Sequence, residues 1–406
     1  MTTTSPAVSY DDVVAARAAL RETVVQTPLL LSWALSDRLG GPVYLKCENL
    51  QRTGSFKVRG AYLRIARLTE AERGCGVIAA SAGNHAQGVA LAAEMLGTRA
   101  TVVMPQSAPL PKVAATRSYG AEIILHGSTV EEALSRAREL AAETGAIFIH
   151  PFEHPDVIAG QGTVGLEIIE QCPAVRTIAV PVGGGGLAAG IAIAVSGASS
   201  SARVVGVQAE AAAPFPPSLT AGQPVTVKCT PTMADGIAIA RPGDITFRVI
   251  SLLAGLVLTV SEENLSRALL ICLERAKQLV EPAGAAGVAA LLEHPGAFEP
   301  PVVAVLSGGN IDPLLLAKVL RHGLAAAGRY LAFRCRLPDR PGALATLLTE
   351  LAALGANVLD VVHERETAGL RVDEAEVMLQ AETRGPGHCE TVIAHLRSSG
   401  YVPVFG

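Results

Sequence analysis

The chain has 406 residues, half of them apolar and 17% charged, which is enough material for two or three domains with buried cores. Its formal net charge of −4, without a basic stripe, argues against a nucleic-acid partner, and Gly and Pro interrupt its apolar runs before they could span a membrane. Seven scattered cysteines with no Cys-x-x-Cys pair predict free thiols and a cytoplasmic location, with neither disulfides nor a metal site.

Residues 1–6 lack the basic start and apolar segment of a secretory signal, so we expect none. From Val43 to about Val305, short β-branched runs alternate with Ala-rich stretches, a pattern typical of parallel sheets covered by helices. The predicted strands are 77–80, 100–104, 122–125, 147–149, 177–182, 203–208 and 302–306. The predicted helices include 86–97, 129–143, 160–170 and 262–277.

The predicted strands form two clusters, before and after about residue 155. We therefore expect two α/β lobes that face each other across a cofactor cleft within residues 1–325. The smaller lobe is predicted at about 48–155, and the larger lobe at 1–47 and 156–325.

A short linker at 321–328 precedes a segment with a different pattern. The turn Asp339-Arg-Pro-Gly342 separates a predicted strand from a predicted helix. The predicted elements are a strand at 330–337, a helix at 343–354, strands at 357–364 and 374–382, a helix at 387–399 and a strand at 401–405. This βαββαβ order is the ferredoxin-like plan, and it predicts a separate domain at 326–406.

Lys57 lies among small and apolar residues in the segment Ser55-Phe-Lys-Val-Arg-Gly-Ala61. An exposed lysine has a pKa near ~10.4 and is a poor nucleophile at neutral pH. Against apolar neighbours, or beside another cation such as Arg59, the charged form is disfavoured and the amine becomes available for Schiff-base chemistry. The segment therefore predicts a catalytic amine.

The segment Ser81-Ala-Gly-Asn-His-Ala-Gln-Gly88 joins a predicted strand to a predicted helix. Such a loop presents backbone N–H groups with the positive end of the helix behind them, so it predicts an anion site. The alternative is that Ser81, Asn84 and His85 only cap the helix.

Gly183 to Gly186 follow a predicted strand and begin an Ala-rich helix, where the backbone can approach a phosphate closely. The same run, continued to Ala188, also fits the G-x-G-x-x-A dinucleotide fingerprint. Glu210 lies near the end of the next strand, where a ribose-binding acid would be found. An NAD-dependent oxidoreductase is therefore an alternative, although it leaves the segment around Lys57 unexplained.

Taken in order, the segments 55–61, 81–88, 183–187 and 307–310 resemble the pyridoxal-phosphate enzymes of the tryptophan-synthase-β fold. The branch that they resemble most is threonine ammonia-lyase, with serine dehydratases and serine racemases as close relatives. The resemblance implies pyridoxal 5′-phosphate as cofactor and conversion of L-threonine to 2-oxobutanoate, the entry compound of isoleucine synthesis, and ammonia. L-Serine is expected as a further substrate, and a serine dehydratase or racemase is the alternative within the family.

The resemblance also implies the role of each segment. Lys57 holds the cofactor and removes the substrate α-proton, while the hydroxyl of Ser81 faces the α-carbon. Ser307 pairs with the pyridine nitrogen, and a neutral partner there favours elimination over transamination. The implied substrate-binding residues are Ser81, Ala82, Gly83, Asn84 and His85. The implied cofactor-binding residues are Phe56, Lys57, Asn84, Gly183, Gly184, Gly185, Gly186, Leu187 and Ser307, with Glu281 as a further candidate in the cleft.

The tail resembles an ACT domain, an amino-acid-sensing module, because Asp-Arg-Pro-Gly lies at its first turn. The resemblance implies an amino-acid effector near Arg340, Gly342 and Asn357, and a homotetramer or dimer. The alternative is a module that serves only for dimerisation. A catalytically silent amino-acid sensor also stays open for the whole chain. No metal is expected at Glu210, because the residues after it lack a second acidic ligand.

Overall fold

The computed structural model describes residues 7–366 and 369–405; the segment 1–6, for which no signal was expected, lies outside this range. The chain divides between Leu315 and Leu316 into two compact units. Within the described ranges, no helix has the length and apolar character needed to cross a membrane.

The strands of the first unit are β1 (Leu29–Leu31), β2 (Val43–Lys46), β3 (Val77–Ala80), β4 (Ala100–Met104), β5 (Glu122–Leu125), β6 (Ile147–Phe148), β7 (Thr177–Pro181), β8 (Arg203–Ala209), β9 (Leu256–Val260) and β10 (Val302–Val305). The helices are α1 (Tyr10–Leu20), α2 (Trp33–Leu39), α3 (Lys57–Ala66), α4 (Glu70–Cys75), α5 (Asn84–Met95), α6 (Leu110–Ser118), α7 (Val130–Thr144), α8 (Pro155–Gln171), α9 (Gly186–Gly197), α10 (Phe215–Ala221), α11 (Asp244–Leu253), α12 (Glu262–Glu274), α13 (Pro282–Glu293) and α14 (Pro313–Ala326), the last of which continues into the second unit.

Two sheets organise the first unit. One has six strands in the order β1-β2-β10-β7-β8-β9, and the other has four in the order β5-β4-β3-β6. Neighbouring strands are parallel except for β1 and β2. Strands β3, β7 and β10 are buried along their whole length, as expected for a sheet with helices on both faces. The predicted two-lobe α/β architecture is confirmed.

The strand ends explain where a site can form. The loop that begins at Ser81 follows β3, the glycine run that begins at Gly183 follows β7, and Ser307 follows β10. Ligands of open α/β sheets bind outside the carboxyl ends of parallel strands. Three segments that are distant in sequence therefore open onto the same cleft.

The second unit contains β11 (Tyr330–Pro338), α15 (Ala343–Ala353), β12 (Asn357–Glu364), β13 (Glu374–Glu382) and α16 (Pro386–Ser398), and its sheet is antiparallel with the order β11-β13-β12. The predicted strand at 401–405 is wrong, because Val404 forms only an isolated bridge with Arg334. Gly400 adopts a left-handed conformation just before this segment, and among the described residues after it only Val404 pairs with β11.

Candidate active site

A cleft of about 470 Å³ lies at the carboxyl ends of β3, β7 and β10. It brings together all the catalytic, substrate-binding and cofactor-binding candidates from the sequence: Phe56, Lys57, Ser81, Ala82, Gly83, Asn84, His85, Gly183, Gly184, Gly185, Gly186, Leu187, Glu281 and Ser307. Residues from distant parts of the chain thus meet in a single cavity.

Lys57 is the first residue of α3, and its side chain is half-buried. Its Nζ donates to the carbonyl oxygen of Pro151 at 3.4 Å and lies 5.1 Å from the centroid of the Phe56 ring. Burial lowers the pKa of Lys57 to about 8, and the nearby carboxylate of Glu281 opposes this change. A useful fraction of the amine is therefore neutral near physiological pH.

Arg59 does not act on Lys57 in the way expected from the sequence. Its guanidinium contacts Glu48 at 2.8 Å and Glu167 at 2.6 Å, inside a buried cluster that also includes Lys46. The expectation that Arg59 lowers the pKa of Lys57 is wrong, because two carboxylates neutralise the guanidinium and burial is the cause of the shift. Arg59 instead ties α3 to α8, and so holds the helix that begins at Lys57.

The loop after β3 leaves the start of α5 without a side-chain cap, because Gly83 occupies the N-cap position. Ser81 shapes this loop, since its Oγ accepts from the N–H of Gly83 at 3.1 Å. The first-turn N–H groups of α5 have no partner within the helix, so they are oriented to bind an anion. The alternative that Ser81, Asn84 and His85 serve only as caps does not match this arrangement.

The side chain of His85 holds the loop in place. Its Nε2 lies 2.8 Å from the carbonyl oxygen of Ile149, and burial, together with the charge of Lys57, lowers the pKa of His85 to about 3. The imidazole is therefore neutral at physiological pH. This leaves the backbone of His85, rather than its side chain, as the group that faces an anion.

Asn84 is the centre of a chain of hydrogen bonds. Its Nδ2 donates to Glu281, and its Oδ1 accepts from Asn310 at 2.8 Å. Asn310 also donates to the carbonyl oxygen of Thr53 at 2.6 Å. Each of these two atoms makes one such bond, so the second N–H of Nδ2 and the second lone pair of Oδ1 can serve a ligand hydroxyl.

Glu281 precedes α13 and is buried against the cleft. Burial, with the charge of Asp235, raises the pKa of Glu281 to about 7; Lys112, Asn84 and Lys57 oppose this rise. The carboxyl group is therefore close to half-protonated at neutral pH. The contribution of Glu281 to the free energy of unfolding should therefore depend on pH between 4.5 and about 7.

We expect the free energy of unfolding of the wild type to fall, relative to that of Glu281→Gln, as the pH rises from 4.5 to 7. An acid whose pKa is raised on folding is bound to its proton more tightly in the folded state, so its contribution is full below 4.5 and is lost above 7. The difference in free energy of unfolding should reach about 3 kcal/mol, because the pKa rises from 4.5 to about 7 on folding and each unit of pKa corresponds to about 1.4 kcal/mol. Urea denaturation of both proteins at several pH values measures it, and parallel curves would refute the shifted pKa.

The glycine run lies between β7 and α9. A Cβ on Gly184 would lie 2.4 Å from the ring of Phe152, and Gly185 has a φ of +100° that favours glycine. The N–H of Ala189 donates to the carbonyl oxygen of Gly185, so the N–H groups of the preceding residues have no partner within α9. Together they form a cradle of N–H groups that suits a phosphate.

Ser307, which follows β10, is hydrogen-bonded to the segment that contains Lys57. It is buried, and its carbonyl oxygen accepts from the N–H of Phe56 at 3.2 Å. The cleft therefore presents an amine of lowered pKa, a phosphate cradle and a hydroxyl. This donor set suits a ligand that carries both a phosphate and a carbonyl group.

Sequence reasoning missed Lys112 and Asp235, which line the cleft and form an ion pair at 3.1 Å. Neither residue belongs to a motif, so no sequence signal marked them. Glu210 is exposed and lies away from the cleft lining. Within the described residues, no group of His, Cys, Asp or Glu side chains is arranged to hold a metal ion.

A second pocket, of about 310 Å³, lies in the second unit at the turn between β11 and α15. Arg340 and Gly342 line it, and Arg365 closes one side through an ion pair with Asp339 at 3.0 Å. Asn357, the third predicted effector residue, does not line this pocket; its amide donates to Glu382 at 3.3 Å.

Comparison with known proteins gives consistent results. The model of the pyridoxal-phosphate dependent enzyme family matches residues 20–308. The chain is 46% identical to the L-threonine ammonia-lyase of Thermotoga maritima, over 97% of this chain and 98% of that one, and 48% identical to the L-threonine ammonia-lyase of Geobacter sulfurreducens, over 94% and 96%. Among solved structures, the processed form of threonine deaminase isoform 2 from Solanum lycopersicum matches with a TM-score of 0.74 and 36% identity, over 78% of this chain and 95% of that one.

Proposed function

This chain belongs to the family of pyridoxal-phosphate-dependent enzymes, and we propose that its reaction is the elimination that converts L-threonine to 2-oxobutanoate and ammonia. The observation that carries this proposal is the position of Lys57, an amine whose pKa is lowered to about 8, in the same cleft as the N-termini of α5 and α9. The donor set fits the cofactor: Gly183–Leu187 would hold the phosphate, Lys57 the carbonyl carbon, and Ser307 the ring nitrogen.

When bound, pyridoxal phosphate supplies the electron sink that stabilises the charge left as the α-proton departs. The backbone N–H groups from Ser81 to His85 bind the substrate carboxylate and orient the α-carbon. The neutral fraction of Lys57, whose pKa burial lowers to about 8, takes the α-proton. Ser81 keeps the loop in shape through Gly83, and its hydroxyl is the acid–base group that a racemase side reaction would need.

L-Serine is the expected second substrate, since one methyl group in a pocket is worth only about 1–3 kcal/mol. The test is to incubate the purified holoenzyme with L-threonine and L-serine in parallel, and to measure 2-oxo acid, ammonia and D-amino acid. A higher kcat/KM for L-threonine and equal amounts of 2-oxobutanoate and ammonia support the proposal. Accumulation of D-serine with little 2-oxo acid would favour a racemase instead.

The second unit carries the regulatory part of the proposal. An ACT-like module would bind a branched-chain amino acid, such as isoleucine or valine, in the pocket lined by Arg340 and Gly342. A charged guanidinium and the first turn of α15 suit the carboxylate of such a ligand. We further propose a cytoplasmic homotetramer or dimer that serves isoleucine synthesis, in which effector binding favours one quaternary state.

Removal of residues from about 328 onward should leave an active enzyme that no longer responds to branched-chain amino acids. The cut falls after the end of α14 at Ala326 and before β11, so it spares all residues of the cleft. In the full chain, we expect the effector to change the apparent affinity for L-threonine about 5- to 150-fold. Initial rates with and without isoleucine or valine measure this, and a full chain indifferent to both would refute the regulatory role.

A further inference from the structure

An ion pair joins the two lobes across the cleft. Lys112 lies on α6, which packs with α5 and β5 beside the four-stranded sheet. Asp235 begins the 3₁₀ turn Asp235–Ile237, which packs on α13 beside the six-stranded sheet. The Nζ of Lys112 donates to Oδ2 of Asp235 at 3.1 Å, and both residues line the cleft.

Lys112 also lies against the loop assigned to the substrate carboxylate. A Cβ placed on Gly83 would lie 3.6 Å from the Nζ of Lys112 and 3.8 Å from its Cδ. The ammonium group is therefore within reach of an anion held by the N–H groups of this loop. Lys112 is also among the charges that act on Glu281, which places its field inside the cleft.

The two partners differ in their access to water. The side chain of Lys112 is 12% exposed, whereas that of Asp235 is 57% exposed. If the pair separates, the carboxylate of Asp235 can be solvated at little cost, but the ammonium group of Lys112 needs another anion. A ligand with a free carboxylate supplies that anion, while an amide or an ester does not.

We propose that Lys112 binds the α-carboxylate of the incoming amino acid, together with the Ser81–His85 loop, and that Asp235 is the counter-ion that this carboxylate replaces. The inference deepens the proposed function and rests on it. Lys112 then makes the cleft selective for amino acids with a free carboxylate, and the exchange of one anion for another keeps the cation paired throughout.

The test compares L-threonine with L-threoninamide in the wild-type holoenzyme and in Lys112→Met, Lys112→Arg and Asp235→Asn. In Lys112→Met, KM for L-threonine should rise about 10- to 100-fold, as expected for loss of a charged hydrogen bond, with kcat changed far less. The preference for L-threonine over L-threoninamide should fall by the same factor. Lys112→Arg should keep most of the preference, and Asp235→Asn should lower KM for L-threonine because the competing carboxylate is gone.

A change of kcat/KM by one common factor for both compounds in Lys112→Met would overturn the inference, since it would show no link to the carboxylate. A wild type that binds amino acids without converting L-threonine would refute the proposed function instead. In that case, calorimetric binding of L-alanine and L-alaninamide to the same variants decides the role of Lys112. Loss of selectivity for L-alanine in Lys112→Met supports the inference, and unchanged selectivity overturns it.

Discussion

Lys57→Ala should reduce formation of 2-oxobutanoate from L-threonine by about four orders of magnitude or more. One amine supplies both the covalent link to the cofactor and the base that removes the α-proton, so its loss removes two functions together. Burial lowers the pKa of Lys57 to about 8, which makes it the cleft amine most suited to both. The variant should also lose the absorbance of covalently linked cofactor, as measured on the purified protein.

Lys228→Ala is the matched control, because Lys228 is exposed and lies outside the cleft lining. It should retain wild-type turnover and absorbance. Lys57→Arg keeps the positive charge but cannot form the link, so it should be as inactive as Lys57→Ala. Turnover in either Lys57 variant close to that of the wild type would contradict the assignment.

The second large effect concerns stability. Glu167→Ala should lower the free energy of unfolding by about 3–5 kcal/mol, because it leaves two buried cations with a single buried counter-charge. Glu167 contacts both Arg59 and Lys46, whose side chains are fully buried. Glu48 alone would then face two positive charges. Urea denaturation with a fluorescence or circular dichroism signal measures the change.

Glu170→Ala provides the control on the same helix. Glu170 also pairs with an arginine, Arg17, but both side chains are more than 40% exposed. Solvent screens such a pair, so its loss should cost about 1 kcal/mol or less. Equal losses in the two variants would mean that burial of the Arg59 cluster does not decide its contribution.

The sequence predicts the parallel sheets well because their strands are buried on both faces. Short continuous apolar runs such as 77–80 and 177–182 are typical of strands buried on both faces, and the observed β3 and β7 follow them closely. The predicted strand at 401–405 has alternating residues, but only one bridge forms there. Strand β9 was missed, although its apolar run follows a turn at Gly255.

The residues of the site also divide into those that the sequence predicts and those that it does not. Loops that join a strand to a helix through glycines are local features, so the segments around Asn84 and Gly184 could be recognised from sequence alone. Contacts between distant residues leave no local pattern: Lys112 and Asp235 are 123 positions apart, and Arg59 and Glu167 are 108 apart. For this reason the partners of Arg59 and the position of Lys112 beside Gly83 could be identified only from the structure.

The most direct test is to reduce the holoenzyme with sodium borohydride, which converts a lysine–cofactor link into a stable secondary amine, and to locate the modified residue by peptide mass mapping. We predict a phosphopyridoxyl group on the peptide that contains Lys57. We predict that this group is absent when L-threonine has been added in excess before reduction, since the amine of the substrate then takes the place of Lys57 on the cofactor. Modification of another lysine, or none in a protein that converts L-threonine, would contradict the central role of Lys57.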